Sequence, residues 1–105
     1  MRYSLDEIQR RVRDGVFAYN AGVPADERIA RVQLFGSYAQ GRARDDSDVD
    51  LLVSFASPVV SLFTLARALE AMESQFETSV DVVQDPLPSD ALLDVREQVP
   101  LYEAA

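Results

Sequence analysis

Apolar side chains recur along this chain at two spacings, which predict where it forms helices and where it forms strands. After Ser4 the apolar residues repeat every three or four positions as far as Asn20, which is the period of an amphipathic helix. Ser4 is a suitable N-cap, Glu7 completes a capping box with it, and Gly22 follows the last helical residue. The apolar face of this first predicted helix consists of Leu5, Ile8, Val12, Val16 and Tyr19.

Shorter segments alternate between apolar and polar residues, as half-buried strands do. Strands are predicted over residues 31–35, 48–55 and 78–84. Residues 99–102 are predicted to form a closing segment at the edge of the sheet. The chain therefore contains enough strands for a small sheet.

A second long helix is predicted between the second and third strands. Ser57 is expected to be its N-cap, with Pro58 at the first helical position. Two short helices are predicted over residues 37–40 and 90–95. The buried stripe of the long helix is expected to consist of Leu62, Leu65, Ala66, Leu69, Met72 and Phe76.

The composition limits the chemistry that this chain can perform. With 105 residues, 48% of them apolar, it is expected to fold as a single domain over residues 1–105. No apolar stretch approaches the roughly 20 residues of a membrane span, and the first residues do not resemble a signal peptide, so we expect a cytoplasmic protein without membrane contact. Because the chain has no cysteine and no histidine, a metal site must use carboxylates, which favours Mg²⁺ or Mn²⁺.

The net charge of −8 indicates which partners suit the chain. Free nucleic acid requires a basic surface, so direct nucleic-acid binding is not expected, whereas a basic partner protein is compatible with this charge. All ten basic residues are arginines, whose guanidinium groups suit phosphate contacts. Arg10, Arg11 and Arg13 of the first helix are expected to form a solvated helix face and not a ligand site.

Gly36 and Ser37 end the first predicted strand and begin the short helix. A strand, a glycine, a serine and a helix in that order point backbone N–H groups at an anion, and the glycine lets a phosphate approach closely. The alternative is a plain turn, with Gly36 at positive φ and Ser37 as an N-cap. Taken alone, the Gly-Ser pair favours this alternative.

Asp48 and Asp50 lie two residues apart and are expected on one face of the sheet, while Val49 points into the core. Adjacent carboxylates repel each other unless a cation compensates them. Asp81 interrupts the apolar third strand, where a buried carboxylate needs a partner or a metal ion. If the second and third strands are neighbours, the three carboxylates meet at one site, as in a two-metal phosphoryl-transfer centre. The alternative for Asp48 and Asp50 is a solvated strand end.

These motifs together resemble the signature of the DNA polymerase β-type nucleotidyltransferase superfamily. The resemblance rests on Gly36-Ser37, Gly41 and the run Ser47-Asp48-Val49-Asp50-Leu51. The short length and the run Val99-Pro100-Leu101-Tyr102-Glu103 are most similar to its minimal branch, the MNT-domain proteins. The resemblance covers essentially the whole chain. It implies an α+β fold (mixed α/β), in which helices flank a small mixed β-sheet.

The resemblance also implies the catalytic residues. Asp48 and Asp50 correspond to the paired metal ligands of the superfamily. Asp81 corresponds to the third carboxylate, which is a metal ligand and the base for the incoming hydroxyl. Two Mg²⁺ ions are implied, with Mn²⁺ as an alternative metal and ATP as the substrate.

The nucleotide-binding positions follow from the same resemblance. Gly36 and Ser37 correspond to the triphosphate-binding turn. Relatives often carry arginine where this chain has Gln40, so triphosphate binding is expected to be weaker unless nearby arginines compensate. The further candidates for phosphate contact are Arg42, Arg44 and Ser47.

Little chain follows the third strand, so we expect another macromolecule or a second copy of this chain to supply the acceptor. The minimal branch resembles the antitoxin of HEPN/MNT toxin–antitoxin pairs, which transfers AMP from ATP to a tyrosine of the HEPN toxin. The resemblance therefore implies a Mg²⁺-dependent protein adenylyltransferase with a HEPN-family partner. Two alternatives stay open: an antitoxin that acts by binding alone, and the catalytic subunit of a small-molecule nucleotidyltransferase similar to antibiotic-modifying relatives. A homo-oligomer is also compatible with an exposed sheet edge.

Overall fold

The computed structural model describes residues 2–85 and 97–104. Within these residues, no helix is long and apolar enough to cross a membrane. The predicted strands are present with ends shifted by up to two residues, and the helix predicted over 90–95 lies outside the described residues. The helices are α1 (Leu5–Asn20), α2 (Gly36–Ala39) and α3 (Leu62–Glu73), with a 3₁₀ turn at Ala25–Glu27. The strands are β1 (Ile29–Phe35), β2 (Val49–Phe55), β3 (Val80–Gln84) and β4 (Val99–Glu103).

The four strands form one mixed sheet in the order β3-β2-β1-β4. Strand β1 is antiparallel to both β2 and β4, whereas β3 runs parallel to β2. This topology confirms the expected class, an α+β fold with a small mixed sheet and helices. The C-terminal end of β1 and the N-terminal ends of β2 and β3 meet at one end of the sheet, where Phe35 lies opposite Asp50 and Asp50 lies opposite Asp81. The sheet therefore gathers the motif residues at this end.

Helices α1 and α3 pack together and share the core with the sheet. Val49, Leu51 and Val53 of β2 are fully buried in that core, as the alternation of this strand predicts. The capping box of α1 is present as predicted. Leu5 is an exception to the predicted apolar face, with 48% of its surface exposed, since it lies in the first turn of the helix. The face is confirmed for Ile8, Val12, Val16 and Tyr19.

Helix α3 begins four residues later than predicted. Its N-cap is Ser61, whose side chain accepts a hydrogen bond from the Thr64 N–H. The hydroxyl oxygen of Ser57 instead accepts a hydrogen bond from the Val59 N–H in a local turn. The prediction of Ser57 as the N-cap was therefore wrong, because a serine before a proline suits a tight turn as well as a helix start.

The buried face of α3 is also rotated relative to the predicted stripe. Leu62 and Ala66, which were expected in the core, are exposed. The rotation follows from the close approach of α1, because a Cβ on Gly15 would lie 3.0 Å from the sulfur of Met72. The fully buried residues of α3 are Thr64, Ala68 and Met72.

Arg11 departs from the solvated face predicted for the arginines of α1. Its guanidinium carbon lies 5.0 Å from the centre of the Tyr3 ring and 6.0 Å from that of the Phe76 ring. Its Nη1 also donates a hydrogen bond to the backbone oxygen of Gln75. The other two arginines are exposed, as predicted. Arg11 therefore joins α1 to the segment between α3 and β3.

Candidate active site

Gly36 stands where β1 ends and α2 begins, and its backbone φ is +73°. This left-handed conformation favours glycine, which has no Cβ. A Cβ on Gly36 would also overlap Oδ2 of Asp50 and lie 3.0 Å from its Cγ. The position therefore requires glycine for two reasons, the turn itself and the carboxylate that packs against it.

Hydrogen bonds hold the loop between α2 and β2 closed. The Arg42 N–H donates to the backbone oxygen of Ser37 over 2.9 Å. The hydroxyl oxygen of Ser47 accepts from the Arg44 N–H at 2.7 Å, and its backbone oxygen accepts from the Thr78 hydroxyl at 3.2 Å. Ser47 therefore links this loop to the segment before β3. The side chains of Arg42 and Arg44 are exposed on the loop.

The parallel pairing of β2 with β3 places Asp50 directly opposite Asp81. Asp50 is partly buried, whereas Asp48 and Asp81 are exposed. Burial raises the pKa of Asp50 from 3.8 to about 6, with further contributions from the Asp81 carboxylate, a hydrogen bond to it, and the charge of Asp48. The fold therefore concentrates negative charge at this end of the sheet, where either a proton or a cation relieves the repulsion.

The chemistry of these carboxylates suits a hard divalent cation. Mg²⁺ is usually held by one or two carboxylates together with the phosphates of a substrate. Asp50 and Asp81 fit that requirement as a pair, because their repulsion disfavours two uncompensated charges. Although β2 and β3 are neighbours, the expected group of three carboxylates is not formed: across residues 2–85 and 97–104, no three acidic side chains are placed to hold a metal ion together. The residues therefore fit a metal site that a phosphate-bearing ligand completes.

Tyr3 connects α2 to the segment before β3, a role that was not predicted from the sequence. Its N–H donates a hydrogen bond to Oη of Tyr38 in α2 at 3.3 Å. Its own hydroxyl oxygen accepts a hydrogen bond from the N–H of Glu77, which precedes β3, at 2.8 Å. Both tyrosines are buried. No motif marks a tyrosine before a capping box, so only the tertiary contacts identify Tyr3 as a residue that positions α2 relative to β3.

A cavity of about 360 Å³ adjoins the carboxylates. It is lined by Phe35, Asp50, Leu69 and residues 80–83 of β3. This cavity was not predicted from the sequence, because the apolar spacing of α3 predicts that Leu69 is a core residue. The candidate site therefore consists of a glycine turn, a carboxylate pair and a largely apolar cavity beside them.

Comparison with known proteins identifies a family and several similar proteins. The nucleotidyltransferase domain family matches residues 22–102, which is most of the chain. The chain is similar to the protein adenylyltransferase MntA of Thermococcus cleftensis, with 38% identity over 55 residues. That match covers 52% of this chain and 54% of the relative. The chain therefore spans about half the length of this curated relative.

Two solved structures have folds similar to that of this chain. One is a provisionally assigned minimal nucleotidyltransferase, with 34% identity, a TM-score of 0.61, and coverage of 84% of this chain and 85% of the other. The second is a toxin–antitoxin crystal structure with AMP-PNP, with 23% identity and a TM-score of 0.64. It covers 94% of this chain and 73% of the other, and at this identity the likeness concerns the fold alone.

Proposed function

The chain belongs to the nucleotidyltransferase domain family, and from this membership we propose that it transfers AMP from ATP to a hydroxyl group of a partner protein. One observation carries the proposal: Asp50 lies opposite Asp81 and also packs against the Gly36 turn. The carboxylates proposed to bind the metal are therefore adjacent to the turn proposed to bind the phosphates. The name of a relative, protein adenylyltransferase, supports a protein as the acceptor.

In this proposal, the turn and the loop after α2 bind the triphosphate. Gly36 allows close approach of a phosphate, and Ser37 supplies a hydroxyl donor. The exposed side chains of Arg42 and Arg44 supply positive charge. They compensate for Gln40, which stands where relatives often carry arginine.

The three aspartates would hold the metal, and one of them would also accept a proton. Asp48, Asp50 and Asp81 would bind Mg²⁺ or Mn²⁺ together with the triphosphate, with two ions expected. When bound, such ions offset the charge of the triphosphate and lower the pKa of the attacking hydroxyl. The exposed carboxylate of Asp81 accepts the proton of the acceptor hydroxyl. The acceptor oxygen then bonds to the α-phosphorus, the bond from that phosphorus to the bridging oxygen breaks, and pyrophosphate leaves.

We propose further that the acceptor is a tyrosine of a HEPN-family toxin, which the transfer silences. One solved structure with this fold is a toxin–antitoxin complex with AMP-PNP, which supports a toxin partner. The net charge of −8 favours association with a basic protein. Asp48 and Asp81 are exposed, so a macromolecular acceptor can reach them.

The test combines labelled ATP with two double variants. The purified protein is incubated with Mg²⁺, α-labelled ATP and the product of the neighbouring gene. Asp48→Asn with Asp50→Asn should reduce the label on the partner to less than about 1% of the wild-type amount, since losing groups that stabilise transition-state charge costs on the order of 100-fold or more. Asp45→Asn with Asp46→Asn is the matched control, because it makes the same charge change in the exposed loop just before the site.

An antitoxin that acts by binding alone is the second candidate. It is favoured by the finding that, in the described part of the chain, no three acidic side chains are grouped so that they could hold a metal ion together. If the Asp48/Asp50 double variant still forms the complex and neutralises the partner, and the wild type transfers no label, the binding candidate holds and the transfer proposal fails. If neutralisation disappears together with the label, transfer is the mechanism.

A further inference from the structure

Strand β3 lies at the edge of the sheet and carries Asp81. In the order β3-β2-β1-β4, one edge of β3 pairs with no other described strand. The backbone oxygen of Ser79 and the N–H of Asp85 both bond to β2. Because alternate residues of a strand bond to the same neighbour, the N–H and C=O groups of Val80, Val82 and Gln84 point away from β2. Main-chain donors and acceptors therefore line the outer edge of β3 at strand spacing.

The two edges of the sheet differ in their protection against pairing. Strand β4 carries the exposed Pro100, which has no N–H, and the exposed Glu103. Proline and charged residues on an edge strand discourage pairing with another chain. Strand β3 reads VDVVQ, and its single charged residue, Asp81, belongs to the candidate site. Among the described residues, the edge without such protection is therefore the one next to the carboxylates.

The cavity beside β3 adjoins both this strand and the carboxylates. Its lining is Phe35, Asp50 and Leu69 together with residues 80–83, and we refer to these residues as the β3 groove. The groove is apolar except for its two aspartates. These lie toward the N-terminal end of β3, where the proposed transfer takes place. The groove is therefore continuous with the candidate active site.

Helix α3 extends the apolar wall of the β3 groove. Leu62, Ala66 and Leu69 lie three or four residues apart and so share one flank of the helix. Gly15 of α1 approaches Ala71 and Met72, which lie on a different side of α3. Leu62 and Ala66 are exposed, although their spacing alone predicts a core stripe. An apolar helix flank beside a strand edge that pairs with no other described strand forms a surface that suits an extended polypeptide.

From this arrangement we propose that an extended segment of the acceptor protein pairs with the outer edge of β3. This segment packs its apolar side chains in the β3 groove and presents its hydroxyl to Asp81. This inference rests on the proposed transfer function and adds where the acceptor binds. Main-chain pairing selects a polypeptide, because neither a nucleic acid nor a small molecule offers N–H and C=O groups at strand spacing. The two aspartates at the end of the groove favour a basic residue next to the acceptor hydroxyl.

Two adjacent residues of α3 provide a matched pair of variants. Leu62 and Phe63 are 83% and 82% exposed. One helical step turns their side chains about 100° apart, so only Leu62 lies on the flank of the β3 groove. With the neighbouring gene's product as the acceptor, Leu62→Glu should raise the KM for that protein about tenfold and leave the KM for ATP unchanged. Phe63→Glu should change either KM by less than about twofold.

A second pair of variants tests the main-chain pairing. Val82→Pro removes an outward N–H, a change that edge strands tolerate, and Val82→Ala controls for the lost side chain. The proline variant should raise the KM for the acceptor protein at least about tenfold above that of the alanine variant, because it cannot donate the pairing hydrogen bond. The melting temperature and the KM for ATP should agree between the two variants.

The outcomes distinguish a failure of the proposed acceptor site from a failure of the proposed transfer reaction. If Leu62→Glu and Phe63→Glu act equally, or if Val82→Pro binds the acceptor as Val82→Ala does, the β3 groove is not the acceptor site although transfer stands. A dimer that Val82→Pro dissociates without any change in acceptor KM would assign the edge to a second copy and overturn the proposal. If the unaltered protein labels no acceptor, the proposed function itself fails.

Discussion

The contact between Gly36 and the carboxylate of Asp50 joins the two motifs of the site at the scale of single residues. One motif ends β1 and the other begins β2, and the pairing of Phe35 with Asp50 brings them together. A glycine in such a turn needs its positive φ, but here it also leaves the space that the carboxylate occupies. The position of the Asp50 carboxylate therefore depends on the Gly36 turn.

Replacement of Gly36 by alanine should impair both the turn and the position of the Asp50 carboxylate. Gly36→Ala should lower the transfer rate on the order of 100-fold, because the added methyl displaces Asp50 from its position. It should also reduce the free energy of unfolding by about 1–2 kcal/mol, the cost of a left-handed backbone at a residue with a Cβ. Single-turnover transfer and chemical denaturation measure the two effects.

Gly41 supplies the matched control for this variant. Its φ is +71°, but an added Cβ would meet no atom within 4 Å. Gly41→Ala should therefore lose similar stability and keep its transfer rate within a few-fold of the wild type. Equal loss of activity in both variants would mean that backbone strain, and not displacement of Asp50, impairs the Gly36 variant.

Asp50 should also make the stability of the metal-free protein depend on pH. Its pKa is about 6 in the folded protein and 3.8 in the reference state, so the folded protein binds the proton more tightly. This contribution to stability is fully present below about pH 4 and is lost as the pH rises through about 6. Above about pH 7, Asp50→Asn should be more stable than the wild type by on the order of 1 kcal/mol, after allowance for solvent screening.

Denaturation in the presence of a chelator, from acidic to mildly alkaline pH, tests this sign. The difference in the free energy of unfolding between Asp50→Asn and the wild type should grow across the interval from about pH 4 to about pH 6. Asp46→Asn, an exposed loop variant, should not reproduce this growth. A difference that does not change with pH would show that Asp50 is not held partly buried beside the Asp81 carboxylate.

At the scale of elements, the start of α3 shows how local signals compete. The sequence predicts the helix start at Ser57, because Pro58 follows it and proline is favoured at the first helical position. The structure selects Ser61, since the chain first turns at Ser57 after leaving β2. A capping pattern identifies a residue that can start a helix, whereas the packing of the whole helix decides which one does.

Alanine substitution at the two serines should distinguish their roles. Ser61→Ala should lower the free energy of unfolding by about 1 kcal/mol, because the Thr64 N–H loses its acceptor. Ser57→Ala should cost less than about 0.5 kcal/mol, since it breaks only an exposed turn. Chemical denaturation measures both, and a larger loss at Ser57 would place the helix start where the sequence predicts it.

At the scale of the whole molecule, the positions of the strands could be predicted from the sequence, because short apolar segments bounded by polar residues mark each of them. The candidate site was partly accessible too: Asp48, Asp50 and Asp81 stand out against apolar strands. The neighbours of β3, the rotation of α3 and the contacts of Tyr3 depend on tertiary packing, which no local pattern encodes. The β3 groove arises from all three, so it could be found only in the folded chain.

The central claim is that AMP, and not phosphate, moves from ATP to a partner protein. The most direct measurement uses two parallel reactions of the unaltered protein with Mg²⁺ and the neighbouring gene's product, one with ATP labelled on the α-phosphate and one with ATP labelled on the γ-phosphate. Our account predicts label on the partner from the α-position only, with release of an equal amount of pyrophosphate. Label from the γ-position, or a tight complex that carries no label from either position, would contradict it.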